Sequence, residues 1–170
     1  MTNSYVLTIL DAGQLPPPPH GVITTVASPP QGGVTQGGGE YATGIVVTVV
    51  AAAAPGYAFL NWTENGTIVS TASSYAFTDE GNRKIEANFV RTFEVSPSAA
   101  PPEGGSITGT GVYRSGDTVT LMAAANPGFQ FVDWTENGIE VRTSSSYTLT
   151  VDGPRAPVAN FKKITYQIVT

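Results

Sequence analysis

The chain has 170 residues, a formal net charge of −5, 19 glycines, 13 prolines and no cysteine. Scattered lysines and arginines on an acidic chain do not suit a nucleic-acid backbone, and the lack of thiols excludes disulfides and thiolate chemistry. No run approaches the roughly 18 apolar residues of a membrane span, so membrane insertion is not expected.

In chain order, residues 1–19 read as an N-terminal strand and a proline-rich arm. The stretch MTNSYVLTILDAG has no basic n-region, and its apolar run is short for a signal peptide. Residues 4–10, SYVLTIL, predict a strand with Tyr5, Leu7 and Ile9 on one face. Apolar residues on the other face as well predict burial on both sides. Pro16–Pro19 predict an extended polyproline link leading to His20, the only histidine.

From His20 onward the chain is written twice. W-T-E-N-G stands at 62–66 and again at 134–138, with Trp62 and Trp134 separated by 72 positions. At that offset residues 20–89 lie over 92–161 without a gap. PPQGG (29–33) falls on PPEGG (101–105), Tyr41 on Tyr113, Pro55-Gly56 on Pro127-Gly128, Phe59 on Phe131, and Ala87-Asn88-Phe89 on Ala159-Asn160-Phe161. The chain therefore divides into a first unit, residues 20–91, and a second, residues 92–163, of about 70 residues each.

Within a unit the pattern predicts strands. Thr118 to Ala123 alternates, placing Val119, Leu121 and Ala123 on one face, and Pro127-Gly128 ends that strand in a turn. Phe129 and Phe131 share a face, but Trp134 lies three positions further on and is out of phase. A β-bulge near Val132-Asp133 returns it to the core side. Asn137-Gly138 predicts a two-residue hairpin, because both positions tolerate φ > 0. Further strands run through Tyr147 and Leu149 and end at Phe161. No ten-residue window carries a helical stripe, so the fold class is all-β.

Two features break the symmetry of the copies. Outward positions Thr118, Thr120 and Met122 of the second unit are Val46, Thr48 and Val50 in the first, and Ile45 replaces Asp117. A solvated strand face seldom carries so many β-branched apolar residues, which makes Ile45, Val46 and Val50 candidate interface residues. Residues 164–170, ITYQIVT, read as the opening strand of a further unit, with Ile164, Tyr166 and Ile168 on one face. An unpartnered strand leaves backbone N–H and C=O groups without bonds. The terminal strands are therefore expected to add to a sheet edge of a neighbouring subunit or of the other unit.

The order G-G, G-x-Y, G-x-x-V, P-G-[YF]-x-F-x-x-W-x-x-[ND]-G, S-x-Y, A-N-F resembles the divergent internalin-type B-repeat, related to the Listeria–Bacteroides repeat, over about residues 20–161 of the chain. The resemblance implies small β-grasp-like modules strung along bacterial surface proteins, with no catalytic residues to carry over.

The residues that bear chemistry read blandly. Trp62 and Trp134 have the faces to stack on sugars, yet their place in the repeated apolar pattern makes them core anchors. Glu64 and Glu136 are candidate acids, and Asp79, Glu80 and Asp133 candidate calcium ligands, but no spaced acidic loop is present and single turn carboxylates are usually solvated. His20 is tied to no Ser or Asp by any motif. The expectation is a non-enzymatic structural or interaction protein without cofactor, metal site or catalytic residue. It would act as subunit, spacer or decoration in an extracellular assembly on a virion, filament or bacterial surface, its partners being further copies or neighbouring subunits. The alternative is a glycan-binding adhesin module.

Overall fold

The structure, a computed structural model, describes residues 19–166. Frequent turn residues between alternating apolar runs give sixteen strands among the described residues, with no α-helix; the helical pieces are 3-10 turns at Pro30–Gly32 and Pro102–Gly104. The protein is all-β. In the first unit the strands are β1 (His20–Ser28), β2 (Gly33–Gln36), β3 (Gly39–Ala42), β4 (Val46–Ala53), β5 (Tyr57–Glu64), β6 (Thr67–Ser70), β7 (Ser74–Thr78) and β8 (Arg83–Val95). The second has β9 (Ser98–Ala100), β10 (Gly105–Thr108), β11 (Gly111–Arg114), β12 (Thr118–Ala125), β13 (Phe129–Glu136), β14 (Ile139–Arg142), β15 (Ser146–Thr150) and β16 (Val158–Lys163).

Each unit packs two sheets face to face. In the first, β2, β4 and β7 form an antiparallel layer, and the strand order of the other is β3-β1-β8-β5-β6. The first and last strands of that layer, β1 and β8, run parallel side by side. The second unit repeats this with β10-β12-β15 against β14-β13-β16-β9, where β9 and β16 are the parallel pair. Period-two alternation puts Val47, Val49 and Ala51 into one core and Val119, Leu121 and Ala123 into the other.

Both tryptophans are 0 % exposed. The register of β5 on β8 slips between Phe59 and Asn61, and that of β13 on β16 between Phe131 and Asp133. These bulges bring each tryptophan back to the core side, beside Phe59 or Phe131. The hairpins that follow have Asn65 at φ 49° and Gly66 at 79°, Asn137 at 51° and Gly138 at 79°, as the two-residue turn requires. The repeated P-P-x-G-G has a separate cause. A Cβ on Gly32 would stand 2.6 Å from Phe89 Cβ, and one on Gly104 the same distance from Phe161 Cβ. Only glycine lets the chain lie on those rings.

The seam between the units lies inside a strand. Residues 85–91 of β8 pair with β5, while Thr92–Val95 pair with β11. Ile85, Ala87 and Phe89 enter the first core, and Phe93 and Val95 the second. The strand thus keeps a single phase through exposed Arg91, and no linker separates the units. At the seam Thr92 N–H donates to Gly56 O (2.8 Å) and Ser115 N–H to Arg91 O (2.7 Å). Arg114 Nη2 reaches across to Phe59 O at 3.2 Å. At the far end β16 runs to Lys163, two residues beyond the expected stop at Phe161. Ile164–Tyr166 continue without strand pairing, since no strand equivalent to β11 follows them among the described residues.

Trp134→Ala is expected to destabilise the second unit by about 3–5 kcal/mol. Trp134→Phe should cost less, because the core stays filled and only the indole N–H is lost. Chemical denaturation followed by the fluorescence of the remaining Trp62 and by far-UV circular dichroism checks this: the first unit should keep most of its stability in both variants.

Candidate functional site

The Glu of each W-T-E-N-G ends a strand, β5 or β13, and meets an arginine from the start or flank of the unit's last strand. Arg83 Nε and Nη2 donate to Glu64 Oε1 and Oε2 at 2.9 and 2.7 Å. Arg155 clasps Glu136 in the same forked way and also donates to Tyr147 Oη at 3.0 Å. Arg83 lies over the Phe77 ring, 4.1 Å from its centroid. Hydrogen bonding from Arg83 holds the Glu64 carboxyl below the usual range, and Glu64 in turn pushes the guanidinium up. Beside this pair is an open cleft of about 600 Å3 lined by Glu64, Phe77, Glu80, Asn82 and Arg83 among others. Its guanidinium and one of its carboxylates are committed to each other. Glu64 and Glu136 are therefore neither free acids nor solvated turn carboxylates. The missed signal was arithmetic: Arg83 and Arg155 share the same offset of 72.

The other chemical candidates are dispersed. Burial closes sugar stacking to Trp62 and Trp134, whose indoles donate to Ser73 O and Ser145 O at 3.3 Å. His20 is exposed at the first position of β1. Asp133 accepts from Asn160 Nδ2 at 2.6 Å within the sheet. Among the described residues no three His, Asp or Glu side chains converge.

Asp79 is the exception to ordinary burial. Its carboxylate is fully buried; Oδ1 accepts from Gly81 N–H at 3.0 Å, and Oδ2 has no hydrogen-bond partner among the described residues. A Cβ on Gly21 would collide with it. At the equivalent places the second unit has Val151, also buried, and Phe93, packed on the core. A glycine–aspartate pair thus fills in the first unit the volume that a phenylalanine–valine pair fills in the second.

Three of the candidate interface residues, Ile45, Val46 and Val50, share one surface. Ile45 lies in the turn before β4, and Val46 and Val50 point outward from it; Val46 is 68 % exposed. Val34 on β2, 61 % exposed, pairs with Ala52, the next outward position of β4 after Val50. The outward positions of β2, β4 and β7 carry no charge. In the second unit the same face is more polar: beside exposed Met122, Thr120 and Thr148 share a 2.8 Å hydroxyl hydrogen bond. Asp117, in the place of Ile45, accepts from Arg114 N–H at 2.9 Å. Ile164 and Tyr166 lie apart from this surface, beyond β16; Tyr166 is 87 % exposed. Tyr5, Leu7, Ile9 and Ile168 lie outside the described residues.

A carboxyl held low in the folded state adds stability above its unfolded pKa and loses it as pH falls through the folded value. The first unit's melting temperature is therefore expected to drop as pH falls below about 4. Glu64→Gln should flatten that drop and lower the melting temperature at neutral pH. Thermal melts of both proteins between pH 7 and pH 3 test it; identical pH profiles would show that the pair contributes nothing.

The model of one family, described as the divergent InlB B-repeat domain, matches the chain twice, over residues 23–93 and 96–165. No curated protein and no solved structure matches it.

Proposed function

Because the chain belongs to the divergent InlB B-repeat domain family, we propose that it is a non-enzymatic structural module that holds neighbouring parts of an extracellular assembly at a fixed spacing. Modules of this family are typical of bacterial surface proteins; a filament or a virion surface is an equally suitable setting for the same mechanics. The observation that carries the reading is β8. Its thirteen residues span about 43 Å at 3.3 Å per residue, and both units hang their cores on it. A flexible linker lets two domains reorient, whereas a strand bonded to a sheet on each side of the seam offers no hinge.

The same exit is prepared at the end of the second unit. Ile164 N–H donates to Gly128 O at 2.8 Å, as Thr92 does to Gly56. The chain past Lys163 is therefore launched along the path that β8 takes into the second unit. Residues 164–170 act as the joining strand, adding to a sheet edge of a neighbouring subunit. Such addition supplies the backbone bonds that an isolated strand lacks. The apolar side chains of Ile164 and Tyr166 supply contact area.

Light scattering on the full chain and on a chain ending at Lys163 tests this reading. Association is expected in the first and its loss in the second, with both units still folded by circular dichroism. Equal mass for the two proteins across the concentration range would overturn the joining role.

A further inference from the structure

We propose that two copies of this chain pair side by side through β7, antiparallel about a two-fold axis at Ala76. Their small layers then merge into one continuous sheet. β7 is an outer strand of that layer, with β4 on its inner side. Ala51 N–H donates to Ser73 O and Asp79 N–H to Ile45 O, so the odd-numbered residues of this strand bond to β4. In an antiparallel ladder the even-numbered residues then turn their backbone groups the other way. The N–H and C=O of Ser74, Ala76 and Thr78 therefore point off the sheet edge, with no backbone partner among the described residues.

Native edges are commonly blocked by charge, proline or a bulge, as β3 carries Glu40 and β14 carries Glu140 and Arg142. Ser74–Thr78 has none of these. The open cleft beside Phe77 and Thr78 also leaves the end of the strand uncovered.

A second copy suits this edge better than a foreign strand, because the edge is complementary to itself. Pairing about Ala76 sets Ser74 against Thr78 of the second copy and Ala76 against its own equivalent. Each pair exchanges two backbone hydrogen bonds, and the small outward side chains let the strands approach. On the other face Tyr75 meets Phe77 of the second copy, extending an aromatic row whose rings lie 5.2 Å apart within one chain. Glu80, the first exposed charge past the strand, falls opposite Ala72, so no like charges meet.

The equivalent edge, β15, is also uncharged, but Thr148 replaces Ala76 there and shares its hydroxyl with Thr120. Beside β7 lie Val46, paired with Thr78, and Val50, paired with Ser74. These apolar neighbours keep water from the new backbone bonds and so strengthen them. A five-residue strand spans only about 17 Å, which gives an interface below the roughly 1,200 Å2 of a stable complex. The pair is therefore weak in dilute solution and fills as chains are concentrated in an assembly. It does not depend on the joining role of residues 164–170.

The chain has no cysteine, so one introduced thiol reports on the axis. The Cα atoms of a hydrogen-bonded pair stand about 5.5 Å apart, within disulfide reach. Ala76→Cys in the full chain is expected to form a disulfide-linked dimer about tenfold faster than Thr148→Cys at the same concentration. Ala76→Lys places two like charges at the axis and should move the sedimentation-equilibrium mass toward the monomer, with circular dichroism unchanged. Equal cross-linking of the two cysteine variants, or a mass unaffected by Ala76→Lys, overturns the pairing. Association that is lost on ending the chain at Lys163 but kept in Ala76→Lys leaves the tail as the joint and overturns it as well. Association lost in Ala76→Lys but kept without the tail supports the β7 pair and removes the joining role instead.

Discussion

The indole of each unit's tryptophan is the fixed point on which its two sheets are assembled. Trp62 stands on β5 and donates to Ser73 O at the head of β7, and the same carbonyl accepts from Ala51 N–H on β4. Trp134, Ser145 and Ala123 repeat the arrangement. One carbonyl therefore receives a side chain from the large layer and a backbone group from the small one. A domain of about 70 residues has a thin core, so one buried ring of this size sets the sheet separation. The bulges at Leu60 and Val132 and the aromatic contacts around each ring follow from seating it.

Much of this was legible because it leaves a periodic trace. The offset of 72, the out-of-phase tryptophan and the Asn-Gly hairpin each announce a backbone event, and Val119, Leu121 and Ala123 announce a core face. The Glu–Arg clasps are less visible, because their partners are 19 residues apart and meet only when β5 lies on β8. Asp79 was least legible. Nothing local marks a carboxylate for burial; only the pairing of Gly21 with it, against Phe93 with Val151, explains where the volume comes from.

The seam shows how a sequence boundary and a structural boundary differ. Residues 90–92 are where the copies change over, and a change of copy suggests a joint. Phe89, Arg91, Phe93 and Val95 nevertheless keep a single phase, with only Arg91 exposed between the two cores. One strand serves both units because each requires its inward residues at odd positions.

That shared strand, together with the parallel neighbour it has in the first unit, determines how the molecule bears tension. The chain enters the first unit at the start of β1 and leaves it along β8, and the two run parallel, paired from Ile23 with Arg83 to Ser28 with Asn88. Pulling the chain ends apart drags these neighbours in opposite directions along their own length. Their hydrogen bonds are then loaded together in shear, instead of one after another as in a peeling hairpin. β9 and β16 give the second unit the same arrangement. With β8 passing the load from one unit to the next, the tandem stretches as a series of clamps whose resistance comes from strand direction, at no expense of added core.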